Sequence, residues 1–415
     1  MADLSPKEHM SISAKLDILD KISDKVNKKF GKCIMGRIGN APEIMERLTI
    51  KYIPTPSLEL NEAVGGGFPR RRCTIIAGNP DSGKTSIVLE TIGLNVKNDP
   101  NFCAIWLESE SSLEKNYIIN TFKIDPERFF FIEVNASVGT EETLDILYSI
   151  LQTGVADICA INSLKCLVPT KEQESSLKDI TIALQARQNA RLTKKFLALV
   201  AEYETAFILI THLTTDINAG AMSRDPMIVA GGHAIKYWSS LTLDLRKRSI
   251  LESDPIGKDE GVKIGVHVLK NHCTPDKFPY VKFAYYAIFG QGIEQYLSTL
   301  DKACKQGVLD AKGAWIYWTN KETGEIKEKW NGKANYRTFM IEHPEIFQEL
   351  KHELYPDIEK MSDEEIQSVK ELEEAIDNNI LYDETNPLKK KKTPKKSSSK
   401  NNNIAVAKED NKTVA

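Results

Sequence analysis

Apolar and polar residues follow one another along this chain with periods that predict helices and strands in turn. Apolar positions repeat at helical spacing over residues 12–30, and Gly31 ends that stretch. Further on, short apolar runs predict strands at 73–77, 104–107, 129–134, 158–161, 207–210, 241–245, 265–269 and 281–288. Longer periodic stretches at 86–96, 140–152 and 180–202 predict helices between the earlier strands.

This alternation predicts an α/β fold with a mostly parallel central sheet, helices on both faces and antiparallel strands at the end. We expect four regions: an N-terminal helical segment for subunit docking (1–50), an ATPase core (51–290), a small α+β C-terminal domain (291–356) and a tail (357–415). The tail is acidic at first and lysine-rich from residue 388, and it has too few apolar residues to fold alone.

One segment between the first predicted strand of the core and its helix fits the phosphate-binding loop pattern. Its residues are Gly78, Asn79, Pro80, Asp81, Ser82, Gly83, Lys84 and Thr85, and Ser86 continues into the helix. Glycines let backbone N–H groups turn towards phosphates, the lysine neutralises β/γ-phosphate charge, and the threonine hydroxyl faces Mg²⁺. The segment therefore predicts a site for ATP and Mg²⁺.

Composition narrows the partners and the compartment. The chain has 415 residues, 41% of them hydrophobic, and a net charge of −3, so any nucleic-acid binding must be local. The seven cysteines include no CxxC pair, which indicates a reducing, cytoplasmic environment. No apolar run approaches the roughly 18 residues of a membrane span, so neither a membrane partner nor a signal peptide is expected.

Polar residues follow several predicted strands, at the edge where parallel sheets bind ligands. Glu110 is the candidate general base that would orient an attacking water. Asn162 stands where an aspartate would order Mg²⁺ and its waters. An amide keeps an acceptor oxygen without the charge, so weaker metal binding and slower turnover are expected unless Glu108 compensates. His212 is a candidate sensor of the γ-phosphate.

Two polar segments leave this same edge. Residues 169–180 follow the strand of Asn162, and residues 213–232 follow His212 without a clear period. Loops of such length inside a compact domain usually have a function. Both segments are therefore candidate binding loops.

The chain resembles the RecA family of homologous-recombination proteins over roughly residues 22–350. Several matching segments have no link to ATP, so a generic ATPase would not share them. They are Lys28-Lys29-Phe30-Gly31-Lys32, residues 34–39 and 231–237, Asp244-Leu245-Arg246, residues 268–271 and 289–293, Gly313-Ala314-Trp315 and Gly332-Lys333-Ala334-Asn335.

The resemblance implies roles for particular residues. It makes Glu110 the catalytic glutamate, acting with Lys84, and it places His212 at the glutamine that couples γ-phosphate to a DNA loop. Lys270 is the first of two lysines that reach the neighbouring subunit's ATP site, and His272 occupies the second position.

The remaining implied contacts are with nucleotide, metal and DNA. The resemblance places Glu114, Tyr117 and Phe289 around the adenine, and Thr85 and Asn162 at the metal. It places Arg187, Lys194, Gly231 and Gly232 at the DNA, with the DNA loops at about 169–182 and 213–232.

The implied function is an ATP-dependent recombinase that polymerises on single-stranded DNA and catalyses homologous pairing and strand exchange. Its implied partners are single- and double-stranded DNA, further copies of itself, and single-strand-binding and mediator proteins. A filament protein that uses ATP as a clamp with weak hydrolysis is the alternative, favoured by Asn162 and His272. A RecA-fold helicase or clock-type ATPase fits less well, because residues 313–318 and the N-terminal helix argue against it.

Asn162, the divergent loops and the tail favour a bacteriophage version of the family over a housekeeping bacterial one. The lysine run at 389–400 has two interpretations, a solvated appendage or a non-specific site for duplex DNA or an acidic partner.

Overall fold

The structure is a computed structural model that describes residues 10–135, 137–173, 184–215, 227–230, 233–252, 260–274, 280–321 and 323–356. Its helices are α1 (Ile12–Phe30), α2 (Pro42–Leu48), α3 (Leu58–Val64), α4 (Lys84–Asn98), α5 (Thr140–Leu151), α6 (Thr170–Gln173), α7 (Leu184–Glu202), α8 (His233–Trp238), α9 (Gln295–Gln306), α10 (Gly332–Glu342) and α11 (Pro344–Leu354).

The strands of the central sheet are β3 (Cys73–Gly78), β4 (Ala104–Glu108), β5 (Phe129–Glu133), β6 (Ile158–Asn162), β7 (Ala206–Thr215), β8 (Met227–Val229), β9 (Leu241–Glu252), β10 (Glu260–Asn271), β11 (Lys282–Ile288) and β12 (Gly292–Glu294). Two smaller sheets contain β1 (Tyr52–Ile53) with β2 (Phe68–Pro69), and β13 (Leu309–Lys312), β14 (Trp315–Thr319) and β15 (Ile326–Asn331).

The central sheet has the strand order β12-β11-β10-β9-β3-β7-β6-β4-β5, and β8 pairs with β7 outside this path. Strands from β9 to β5 pair in parallel, while β10, β11 and β12 add antiparallel pairs at the other side. The predicted α/β fold, mostly parallel and finished by antiparallel strands, is therefore confirmed.

Each face of this sheet carries its own core, because successive strand residues point to opposite sides. Ile76 of β3 belongs to the core that includes Ile87 and Val88 of α4. Its neighbour Ile75 belongs to the other core, which includes side chains of α5 and α7 such as Leu147 and Phe196. The phosphate loop at the end of β3 is therefore fixed by packing on both sides of its strand.

The N-terminal helix has the bounds that its apolar periodicity predicts. Ser11 caps its start by accepting from the Ala14 N–H at 3.3 Å, and Gly31 ends it in the left-handed conformation. A 2.7 Å ion pair joins Lys32 to Glu202 of α7. Apolar side chains of α1 nevertheless stay exposed, namely Ile12, Ile18, Leu19, Ile22 and Phe30.

The chain divides into two compact units, and the first runs to Phe339. Within it, β13, β14 and β15 form an antiparallel sheet whose Trp318 and Trp330 are buried. The second unit is described from Met340 to Pro356 and contains α11, where Phe347, Leu350 and Leu354 are buried. The domain boundaries given by the sequence remain predictions, and the tail from residue 357 lies outside the described residues.

The prediction of one long loop over 213–232 was wrong near both ends. Strand β7 runs on to Thr215, and Met227–Val229 pairs antiparallel with it, so that Leu213 faces Val229. Alternating apolar and β-branched residues favour this pairing locally, whereas the prediction weighed the glycines and proline of the whole stretch. The first loop also begins with helix α6. Residues 174–183, 216–226, Gly231 and Gly232 lie outside the described residues.

None of the described helices is both long enough and apolar enough to cross a membrane.

Candidate active site

The phosphate loop joins β3 to α4, and its two key glycines leave no room for a side chain. A Cβ on Gly78 would lie 2.4 Å from the carbonyl oxygen of Leu245, and one on Gly83 would lie 2.5 Å from Ile264 Cδ1. Gly83 also has a φ of 80°, which L side chains rarely adopt. Both glycines are therefore required by the local geometry as well as by the motif.

The loop encloses a buried cation. Lys84 is 7% exposed, and its Nζ donates to the Asn79 carbonyl at 2.7 Å, which also accepts from Ser82 Oγ at 2.8 Å. Burial lowers the pKa of Lys84, and the negative charges of Glu110 and Asp81 oppose that change. A cation held at the positive end of α4 fits a polyphosphate. These residues fit ATP, with Thr85 in the first helical turn as the hydroxyl ligand for Mg²⁺.

The predicted adenine residues lie in two places around α4. Tyr117 OH is 3.2 Å from Ser86 Oγ, and its ring packs edge-on against Phe122. Glu114 is exposed one turn earlier. Phe289 is 61% exposed just after β11. It precedes Ile293, whose backbone N–H donates to Glu90 of α4 at 2.8 Å.

Glu110 and His212 meet across the strand that separates them. Glu110 follows β4, His212 lies in β7, and β6 runs between these strands. His212 Nε2 lies 2.9 Å from Glu110 Oε1, and each side chain is 22% exposed. Burial raises the pKa of Glu110, but bonds from Ser163 and His212 and the charge of Lys84 outweigh it, so the pKa is lowered. Glu110 is thus held ionised, as a base must be.

A second carboxylate lies two residues earlier and is fully buried. Glu108 and Asn162 are register partners in the parallel pair β4–β6. Asn162 Nδ2 donates to Glu108 Oε2 at 2.9 Å and to Oε1 at 3.2 Å. The predicted candidates Glu108 and Asn162 are therefore in direct contact, and the amide needs no charge to bind its neighbour.

Lys270 and His272 lie on the opposite side of β3. Lys270 Nζ donates to the carbonyls of Lys236 and Tyr237 at 2.8 and 3.1 Å, at the end of α8. Burial lowers the pKa of Lys270. The His272 N–H donates to Ser240 O at 2.8 Å. The structure does not bring these residues to Glu110 of the same subunit, and a role at a neighbour's site remains a prediction.

The predicted DNA-contacting residues that are described lie on α7. Arg187 and Lys194 are both exposed and are seven residues apart, so they share one helical face. Arg191 lies between them on that face and is also exposed. The sequence analysis missed Arg191, although its i,i+4 spacing from Arg187 was available. Gly231 and Gly232 lie outside the described residues.

The sequence analysis also missed Cys166, because nothing in its local pattern signals a site. Its Sγ lies 3.7 Å from Glu110 Oε1 and 3.6 Å from Ser163 Oγ. The thiol therefore links the residue after Asn162 to the candidate base. Among the described residues, no group of three or more His, Cys, Asp or Glu side chains could hold a metal ion by itself.

Comparison with known proteins identifies the family. The family model of the RecA N-terminal domain matches residues 17–294. The chain belongs to the RecA family. It is 27% identical over 345 residues to protein RecA of Aquifex pyrophilus, covering 83% of this chain and 92% of the relative.

Two further relatives are protein RecA of Bartonella henselae and of Citrifermentans bemidjiense, each 30% identical over 339 residues and 81% of this chain. The match covers 91% and 93% of them, respectively. Membership makes this chain a relative of DNA-dependent phosphate-loop ATPases that form filaments on DNA and act in homologous pairing and strand exchange.

Proposed function

We propose that this protein is an ATP-dependent DNA recombinase that polymerises on single-stranded DNA and catalyses homologous pairing and strand exchange. The observation that supports this most is the 2.9 Å contact between Glu110 and His212 beside the buried Lys84. The candidate base and the candidate sensor are joined there. Because His212 lies in β7, which pairs with β8 beyond it, the contact connects the nucleotide site to the second candidate DNA loop.

Each side chain has one role in hydrolysis. Bound Mg²⁺ supplies neutralisation of the charge that develops on the phosphates. The loop N–H groups and Lys84 would hold the β- and γ-phosphates, and Thr85 and Asn162 would face the metal. Glu110 would orient a water and accept its proton, since its carboxylate is held ionised. His212 would report the γ-phosphate to β7 through its bond to Glu110.

DNA binding would be local and electrostatic. The whole chain carries a net charge of −3, so a basic track must be built from particular positions. Arg187, Arg191 and Lys194 form such a track on the exposed face of α7. The same helix begins at Leu184, so the basic positions follow the first candidate loop closely in the sequence.

Filament formation would use the N-terminal helix. Apolar side chains of α1 remain exposed to solvent on their own subunit. Docking that face on the next subunit gives a heterologous contact, which produces an open helical assembly. Single-strand-binding and mediator proteins would be further partners, as the sequence analysis predicts.

We further propose a bacteriophage version of the family, similar to the phage recombinase UvsX, that works in the cytoplasm of the host. Asn162 and the lysine-rich end of the chain are the features that favour it. All seven cysteines are free, in keeping with a reducing compartment.

Two assays on the full chain test this function. We expect single-stranded DNA to stimulate ATP hydrolysis, and we expect the protein to exchange strands between homologous DNAs in the presence of ATP. Filaments that require ATP but neither hydrolyse it nor exchange strands would favour the alternative of an ATP clamp. A protein that neither binds ATP nor assembles on DNA would contradict both proposals.

A further inference from the structure

Asn162 carries a polar atom that the rest of the site leaves unused. The residue is 0% exposed, and its Oδ1 has no hydrogen-bond partner among the described residues. Buried polar atoms are nearly always bonded, so an unpartnered acceptor in an active site points to a ligand. The atom belongs to the strand end at which the family's metal-ordering carboxylate is expected.

The nitrogen of the same amide, Asn162 Nδ2, has hydrogen-bond partners. Nδ2 donates to both oxygens of Glu108, at 2.9 and 3.2 Å. Since a carboxylate can only accept, the NH₂ group must face it, and this fixes which end of the amide is which. Oδ1 is thereby turned away from Glu108.

Glu108 is itself a buried, ionisable group held by neutral donors. It is 1% exposed, and it accepts from Trp106 Nε1 at 2.9 Å and from the Glu110 N–H at 2.9 Å, in addition to Asn162. None of these donors carries a positive charge. These fixed donors hold both carboxyl oxygens of Glu108 in one orientation beside Asn162.

Resting on the proposed function, we infer that Glu108 and Asn162 act as one unit in place of a single aspartate. Asn162 Oδ1 is the acceptor on the metal side, and Glu108 is a positioning residue that fixes and polarises the amide. A carboxylate bonded to the NH₂ group draws electron density towards the carbonyl oxygen, because linked hydrogen bonds polarise one another. Part of the missing charge therefore reaches Oδ1 through the amide.

The ends of β4 and β6 are braced so that this pair keeps its register. The Ser109 N–H donates to Asn162 O at 2.6 Å, and Ser109 Oγ donates to Ser163 O at 2.9 Å. Cys166 continues the connection from Ser163 to Glu110. The unit therefore lies in the same bonded group of side chains as the candidate base.

This arrangement decides what a carboxylate at position 162 would do. Asn162→Asp would place two buried carboxylates in contact and remove one of the donors to Glu108. We therefore expect lower ATPase activity and a lower thermal midpoint in EDTA. A gain in activity, as expected if the amide were merely a handicap, would overturn the inference.

The deciding measurement is the Mg²⁺ concentration that half-saturates binding of a fluorescent ATP analogue to the full chain. In Glu108→Gln the amide of Asn162 can turn over and present a donor to the metal. We expect the half-saturating Mg²⁺ to rise at least about fivefold, while binding of the analogue in EDTA stays within about twofold of the parent. Glu133→Gln is the matched control, because Glu133 is the exposed register partner of Glu108 on β5 and should change neither value.

The exchange variant Glu108→Gln with Asn162→Asp keeps one carboxylate, one amide and the bond between them. We expect it to bring the half-saturating Mg²⁺ to within about twofold of the parent, far from the product of the two single effects. The inference would be overturned if the effects of the two single substitutions on the half-saturating Mg²⁺ concentration simply multiplied. Unchanged Mg²⁺ dependence in Glu108→Gln would overturn it as well. Failure of the parent itself to bind the analogue would instead contradict the proposed function.

Discussion

Two carboxylates at one strand end, Glu108 and Glu110, have opposite surroundings. Glu108 is buried, and its side-chain partners are neutral, among them the amide of Asn162 and the indole N–H of Trp106. Glu110 is partly exposed, and its side-chain partners include the His212 ring and the Cys166 thiol. A carboxylate surrounded by fixed donors keeps one orientation, whereas a carboxylate with access to water can exchange a proton. The same residue type therefore orients a neighbour in one case, Glu108, and is suited to proton transfer in the other, Glu110.

The pairs Glu108–Asn162 and Glu110–His212 both act on bound nucleotide. Loss of Lys84, which would hold the phosphates, should therefore have the largest effect. Lys84→Ala removes a buried charged donor to the phosphates, and we expect nucleotide affinity to fall by about 100-fold or more. Titration with a fluorescent ATP analogue measures this. Lys97→Ala is the control, because Lys97 is an exposed cation at the other end of α4. Affinity within about twofold of the parent would remove the phosphate-loop assignment and with it the comparison of the two pairs.

Glu110→Gln should separate the two pairs. The amide keeps the size of the side chain but cannot accept a proton, so we expect DNA-stimulated hydrolysis to fall by about 100-fold or more. Nucleotide binding and its Mg²⁺ dependence should stay within about twofold of the parent. Glu108→Gln should give the converse Mg²⁺ response. Unchanged ATP turnover in Glu110→Gln, or the same Mg²⁺ dependence in both variants, would contradict this division of roles. Glu108 would then not be the positioning carboxylate and Glu110 the proton acceptor.

A third carboxylate, the partly buried Glu90, extends the comparison to pH. Both oxygens of Glu90 on α4 accept from the Ile293 N–H, at 2.8 and 3.0 Å. Burial raises the pKa of Glu90 from 4.5 to about 7, and that hydrogen bond opposes the change. The folded protein then holds this proton more tightly than the unfolded chain, so stability falls as pH rises from about 4.5 to about 7.

Glu90→Gln keeps an acceptor for Ile293 and cannot ionise. We expect it to raise the free energy of unfolding by roughly 1–3 kcal/mol at pH 8 and to change it little at pH 5. Urea titrations at the two pH values measure the difference, with Glu133→Gln as the exposed control. An equal effect at both pH values would mean that Glu90 is ionised throughout, as Glu110 is.

The smallest effect at the nucleotide site should come from the tail. Removing residues 388–415 deletes nine lysines together with Glu409 and Asp410. We expect weaker capture of duplex DNA, with the salt slope reduced by about 0.9 for each phosphate that the tail no longer neutralises, and unchanged ATP binding. Titration of labelled duplex at several salt concentrations measures the slope, and a full-length chain with Lys389 to Lys392 changed to Gln separates charge from length. An unchanged slope would leave the tail a solvated appendage.

Much of the fold could be predicted because its signals are local. The period of α1, the apolar run of β3 and the glycines of the loop each lie within one segment, and the structure has them at the predicted positions. The pairing of Leu213 with Val229 was missed, because a strand pair across a long connection depends on residues that are far apart in the chain. Arg191 required only helical spacing, so that omission was avoidable.

The sequence by itself determined the phosphate loop, the α/β order of elements and the polar residues at the strand ends, because those features depend on neighbours along the chain. Only the tertiary structure decided which strand ends meet. Parallel pairing placed Glu108 beside Asn162, and the order β7-β6-β4 allowed His212 to reach Glu110 across a strand. A single residue type does not reveal whether an amide weakens a site or completes it. That depends on the carboxylate next to it, 54 residues away in the sequence.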